Sequence, residues 1–405
     1  MFRRLISFVF RRRHYWRSIS FDEIAELYTS RLMTIFAVNI VNLFAAVYLY
    51  KLGYSLSFIA LFYGAFYILR MPLAVLSAKF VAYFGPKHGI LVANLLRLPS
   101  LGAFALLPIA GDNALWAIAA FGLFQQLSAA MYGIAYTTDF SKVKHPERAG
   151  REIGTMMVIE KVARIASPII GGLVASLWSP QATIILAAVL FAFSALPLFA
   201  SVEPTATRMK LRLGGFPWRM AVPSLVSQTV VGFDYVVSGM VWTLFVALFI
   251  FADLQANIYI ALGGLASLGV AVSIVTAWVF GQLVDRHKGG VLLTLGIFGN
   301  TITHLFRPFV STTTGVMATS VANETATSAY VLAFTRVLFD VADSSGFRIV
   351  YLMFAEIMLG LGTALACGAL YVAVEVFGDR NGLAAVFVMA ALYQLLMLVS
   401  RRAAR

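Results

Sequence analysis

The chain has 405 residues, 60% of them hydrophobic and only 12% charged. A soluble protein would carry roughly 25% charged residues, and a transmembrane barrel would show alternating segments of about 10 residues. Both are excluded by apolar runs near the roughly 20 residues a helix needs to cross a bilayer, following one another almost end to end. The net charge of +13 does not mark a nucleic-acid surface, because most Lys and Arg fall in short turns between apolar runs, where they orient membrane helices.

The N-terminal stretch MFRRLISFVFRRRHYWR is basic, but its apolar part is too short and broken for a signal peptide. It reads as a cytoplasmic arm on anionic lipid. Ser20–Glu23 has the spacing of a capping box and predicts a helix start. Six apolar spans are predicted before residue 200, at roughly 32–51, 56–78, 90–110, 115–138, 154–177 and 182–200. The stretch SVEPTATRMKLRLGGFPWR then breaks the pattern with charge, Pro and Gly, as a linker does. Six more spans follow, at roughly 222–252, 256–280, 291–310, 315–339, 347–376 and 382–400. The expected organisation is an N-terminal six-helix bundle over 1–200, a cytoplasmic linker over 201–218 and a C-terminal six-helix bundle over 219–405.

The basic turns set the orientation. Lys79, Lys87, Lys142, Lys144, Arg148, Arg151, Arg208, Lys210, Arg212, Arg286 and Lys288 fall in turns on one side, and little beyond Lys51 and Arg380 on the other. Cytoplasmic turns carry the positive excess, so both termini are expected on the cytoplasmic side of a multi-pass protein of the cell (inner) membrane. The single cysteine, Cys367, allows no intramolecular disulfide and argues against a cysteine metal site.

The two parts of the chain echo each other. LYKLGYSLSFIALFYG is followed by FGPKHGIL, and IFADLQANIYIALGGL by RHKGGVLL. One offset aligns Ala60–Leu61 with Ala261–Leu262 and Gly89 with Gly290; a slightly shorter one places Glu160 on Glu356. Two six-helix repeats of like topology are a known transporter plan.

The turn after the eighth span, WVFGQLVDRHKGGVLL, carries Gly281, Leu283, Asp285 and Arg286. It resembles the loop motif G-x-L-x-D-R-x-G-R-K of the major facilitator superfamily, although Lys288 and Gly289 reverse the Gly-Arg order. The first-half copy, AKFVAYFGPKH, keeps Gly85 and Lys87 but has Ala78 and Ala82 in place of the Gly and the Asp. The resemblance covers nearly the whole chain. It implies an all-α polytopic fold of 12 transmembrane helices in two bundles and a gating role for Gly281, Asp285 and Arg286. A plain solvated turn is the competing reading.

In the fifth span, ARIASPIIGG keeps Pro168, Gly171 and Gly172 of the family's G-x-x-x-G-P-x-x-G-G, while Ala163 and Ser167 replace the earlier glycines. That family motif is associated with antiporters and hence efflux; close helix packing by small residues accounts for it equally. The fourth span, Leu115–Thr138, lacks the family's Arg.

Ionisable residues at membrane depth face a cavity or a partner, not lipid. They are Arg70, Arg97, Glu160, Lys161, Arg164, Asp234, His304, Arg307, Glu324 and Glu356. Glu160 and Arg164 are four apart and pair on one helix face, a structural ion pair. Asp234 is expected at a solvated helix end, His304 as a satisfied core residue, and Arg307, beside Pro308, snorkelling to the surface. Glu324 lies on a polar face with Ser320 and Ser328, and Asn39 and Asn42 share a face in the first span; these line a polar path. Glu356 has no cation at its helical neighbour positions. It either carries a proton or pairs across the bundles with Arg70, since the resemblance implies that the second and eleventh spans face each other. Transport and proton-coupling candidates are thus Glu356, Glu324, Arg70 and Arg97.

The reading is a secondary active transporter that moves a small solute by alternating access, with proton-coupled export as one form. Its partners are the solute, the lipid bilayer and protons; no nucleic acid is expected, and a monomer is. No catalytic residues, metal site or cofactor are expected, because no G-x-x-x-x-G-K loop and no H-x-x-x-H pair occur. A lipid-acting membrane enzyme and a transporter-like sensor or scaffold are the alternatives.

Overall fold

The computed structural model describes residues 21–402 except 43, 144–148, 200–210, 212 and 286–288, with most of their side chains. The N-terminal arm, Ser20, most of the linker, Arg286 and the side chains of Asn42, Lys161 and Asp285 lie outside the described residues.

Every regular element among the described residues is helical. In chain order they are α1 (Phe21–Asn42), α2 (Ala45–Lys51), α3 (Leu56–Phe84), α4 (Pro86–Ala105), α5 (Ala114–Val143), α6 (Ala149–Leu177) and α7 (Pro180–Ala195). After the linker come α8 (Trp218–Val236), α9 (Trp242–Phe249), α10 (Ile258–Asp285), α11 (Gly289–Phe306), α12 (Thr313–Ser344) and α13 (Arg348–Gln394). Eight of the described helical segments are long and apolar enough to cross a membrane. One of them, Arg348–Arg401, has 54 residues, far more than one crossing needs. It breaks at Gly378, whose φ of 75° and ψ of 172° suit a residue without a Cβ. The chain is an all-α polytopic membrane protein, consistent with the 12 spans expected.

The turns explain how the helices stack. Ser55 caps α3 by accepting from Phe58 N at 3.1 Å. Ser179 does the same for α7 through Ala182 N at 3.1 Å, and Thr312 for α12 through Gly315 N at 3.1 Å. Each cap satisfies one of the orphan donors of a first helical turn. All three lie at the end of the molecule opposite the linker, the distal end. At the linker end, Gly85 (φ 102°) joins α3 directly to α4, with Pro86 at the first helical position, where its missing N–H costs nothing.

Helices before and after the linker meet along two seams, α3 against α13 and α6 against α10. Small residues make both seams close. A Cβ at Gly64 would lie 3.3 Å from Cys367 Cβ, and one at Gly172 would lie 2.6 Å from the Tyr259 carbonyl oxygen. At the distal end Tyr259 also meets the Phe44 ring edge-on at 5.5 Å, and Lys51 Nζ sits 4.7 Å from its centroid. Toward the distal end α6 and α10 are therefore closely packed around Tyr259.

Candidate functional site

Arg70, in the middle of α3, reaches across the first seam. Its Nη2 donates to Glu356 Oε2 on α13 at 2.6 Å, and Nε donates to the same oxygen at 3.2 Å. Both side chains are largely buried. The Glu356 carboxylate also packs on Gly133 of α5, where an added Cβ would lie 3.1 Å from Glu356 Cδ. Buried carboxylates and guanidiniums persist at membrane depth when paired in this way.

A second cluster lies among α1, α5 and α6. Arg31 Nε donates to Glu160 Oε1 at 2.9 Å, and its guanidinium lies 4.0 Å from the Tyr136 ring centroid and 5.3 Å from that of Tyr132. The Tyr136 hydroxyl donates to the same Glu160 oxygen at 3.4 Å. Arg164, the partner read from sequence, stands 3.9 Å from Glu160 Oε2 with 47% of its side chain exposed. The closer and more buried partner, Arg31, was not in the sequence reading: α1 lies far away in the chain, and only helix packing brings it alongside.

Arg97 in α4 differs from both. Its Nη1 donates to Gln125 Oε1 at 2.5 Å, and its guanidinium lies 5.5 Å from the Phe191 ring centroid. Ser100 donates to the same Gln125 oxygen at 3.5 Å.

The third cluster lies wholly among helices after the linker. Asp234 Oδ1 is 2.8 Å from His304 Nε2 and accepts from Ser238 at 2.9 Å, and Asp234 Oδ2 accepts from the Tyr330 hydroxyl. Arg307 Nη1 faces His304 Nδ1 at 3.2 Å and donates to Ser238 at 3.3 Å. A guanidinium only donates, so the network assigns His304 as the neutral tautomer, with Nδ1 accepting and Nε2–H donating to Asp234. The Arg307 guanidinium stacks 4.7 Å from the Trp242 ring centroid. Trp242 Nε1 in turn donates to Ser320 at 3.2 Å.

Two sequence expectations fail here. Asp234 is 4% exposed and Arg307 1%; neither is a solvated end charge nor a snorkelling one. Helix α8 begins at Trp218, so Asp234 lies about 24 Å along it at 1.5 Å per residue. Arg307 is close to a helix end, but its azimuth points into the bundle, where Trp242 and His304 hold it. His304, fully buried, is the satisfied core residue expected. A π-helical turn, Val237–Val241, begins three residues after Asp234. Such turns recur at functional sites; here it carries Ser238, which touches Asp234.

The remaining candidates scatter. Glu324 on α12 is half-buried, within electrostatic range of Arg164 and Arg307, and packs on Gly269 of α10, where a Cβ would lie 2.9 Å from its Cγ. Asn39 donates to the Ile35 carbonyl of its own helix at 2.7 Å. Gly171 packs on the Ile40 carbonyl of α1, and Gly172 on Tyr259 of α10; Pro168 presents its carbonyl to Gly263. Gly281 belongs to α10. Among the described residues no group of three or more His, Cys, Asp or Glu is placed to hold a metal ion.

A family model described as Major Facilitator Superfamily matches residues 27–400. No curated protein matches the sequence. Among solved structures, a single-residue variant of the nucleoside transporter NupG is similar, with a TM-score of 0.69, 13% identity and coverage of 94% of this chain and 99% of that one. So is a bacterial homologue of the iron transporter ferroportin in its inward-facing state, with a TM-score of 0.64, 14% identity and coverage of 94% and 98%. A bacterial metal transporter has a TM-score of 0.60 at 14% identity, covering 93% of this chain and 97% of that one.

Proposed function

The chain belongs to the Major Facilitator Superfamily, and from that premise we propose that this membrane transporter moves a small solute by alternating access, driven by a proton gradient. Residues 1–200 and 219–405 form the two moving bundles, and both termini and the linker face the cytoplasm. The observation that carries the reading is the Arg70–Glu356 pair. It joins helices from before and after the linker deep in the protein, on the seam that rocking bundles have to open and close around a central site. The distal packing of Gly172 on Tyr259 supports one closed end of that cycle. Pro168–Gly172 is occupied in this packing and serves as a gate element.

In this mechanism Glu356 has two states. Charged, it neutralises Arg70 and clasps α3 to α13. Protonated, it releases Arg70 and lets the seam separate. An ion pair that forms in one state and breaks in the other biases the equilibrium only by its differential stability.

The test is transport in proteoliposomes with a small-solute library, with and without an imposed pH gradient. Accumulation that follows the gradient in the wild type, and its loss in Glu356→Gln with exchange retained, supports proton coupling through Glu356. Transport indifferent to pH makes the protein a uniporter. Labelling of Leu213→Cys, with Cys367 replaced, from outside intact cells would overturn the orientation.

A further inference from the structure

We propose that Arg97 binds the carried solute and that this solute bears an oxyanion, a carboxylate or a phosphate. The inference rests on the transport reading and names the substrate class of that same central site.

Arg31 has Glu160 and Arg70 has Glu356. Arg164 shares Glu160, and Arg307 lies within electrostatic range of Asp234 and Glu324. Among the described residues Arg97 forms no ion pair with a carboxylate; the charged and phenolic neighbours that act on it most are Tyr235 and Arg70. Yet it is only 8% exposed, and it sits about 16 Å from the Pro86 start of α4 at 1.5 Å per residue, too deep to reach a headgroup. A guanidinium without a counter-ion at this depth marks a functional position.

Geometry then says where its free valence points. A guanidinium has five N–H donors in a planar fork, and Gln125 engages one nitrogen. Buried donors left without a partner include Arg307 Nε but no atom of Arg97. The remaining Arg97 donors therefore reach accessible surface. That surface lies between the bundles: Tyr235, on α8 beyond the linker, is 59% exposed and within electrostatic range of Arg97, Arg70 and Tyr67, all of the other bundle. In this structure Glu356 occupies Arg70, whereas Arg97 meets only Gln125 and the Phe191 ring. A planar fork with open donors matches a carboxylate or phosphate edge.

The test uses the full chain in lipid nanodiscs, with benzoate and phenyl phosphate as probes and benzamide as a neutral control, read by calorimetry and thermal shift. Wild type should bind at least one anion and not benzamide; whichever anion binds more tightly identifies the oxyanion. Arg97→Gln should weaken binding at least tenfold. Arg97→Lys should recover part of it, because the charge survives while the fork is lost. Equal binding of benzamide, no binding of either anion, or an unchanged affinity in Arg97→Gln overturns the proposal. Cysteine accessibility at both ends of the same proteins separates the two readings. Alternation without oxyanion binding defeats only the role of Arg97; a wild type that never alternates defeats the transport reading itself.

Discussion

Arg70 and Glu356, 286 positions apart in the chain, share a single carboxylate oxygen through two guanidinium nitrogens. One oxygen receiving two donors leaves Glu356 Oε1 to face Gly133, so the pair locks three helices, α3, α5 and α13, at one depth.

Breaking this pair from one side leaves an uncompensated charge in a low-dielectric setting, which typically costs about 3–5 kcal/mol. Glu356→Gln should therefore lower the thermal unfolding midpoint. Combining it with Arg70→Gln should restore most of the loss, because the orphaned cation goes too. A double variant as unstable as the single one would show that packing on Gly133, not charge, is what Glu356 supplies.

The Asp234 cluster should be the more sensitive to mutation. Asp234→Asn removes the charge opposite Arg307 and turns one acceptor oxygen into a donor facing existing donors, so a loss of about 3–5 kcal/mol is expected. Tyr330→Phe removes a single hydrogen bond and should cost about 1 kcal/mol. Denaturant unfolding of the purified protein ranks the two; a milder effect for Asp234→Asn than for Tyr330→Phe would contradict the network as drawn.

Around Glu160 the two arginines should differ. Arg31 is the closer partner and largely buried, whereas Arg164 is half exposed. Arg164→Gln is expected to change stability by no more than about 1 kcal/mol, as for exposed pairs. Arg31→Gln should cost several times as much. Paired thermal melts decide it, and equal midpoints would mean that Glu160 is served by either cation alone.

The close packing of α6 on α10 depends on Gly172 and Gly263 lacking side chains. A Cβ at Gly172 would come within 2.6 Å of the Tyr259 carbonyl oxygen, so Gly172→Ala should push α6 from α10 and favour states open at that end. Maleimide labelling of a cysteine placed at Tyr259 should rise severalfold over the same cysteine in the Gly172 background. Unchanged labelling would show that the backbone absorbs the methyl group and that this contact is no gate.

What the sequence determined by itself is what the bilayer dictates. Apolar runs of spanning length, prolines and glycines at the breaks, and basic turns follow from the cost of exposing polar backbone to lipid, a constraint written locally in every segment. The resemblance carried by Asp285, Arg286 and the fifth-span glycines led to the right family by the same local route. Pairs within one helix were legible too: Glu160 and Arg164 are neighbours at 3.6 residues per turn. Facing helices gave one long-range pair, Arg70 with Glu356, because their depths match. The tertiary structure decided the rest, because depth along a helix can be counted from its end whereas azimuth cannot. Arg307 beside Pro308 reads as a surface cation until Trp242 and His304 are seen around it. Asp234 and His304 each read as isolated until α8 and α11 bring them within 2.8 Å. Arg97 becomes distinctive only when every other arginine described at membrane depth is found beside a carboxylate or within its electrostatic reach.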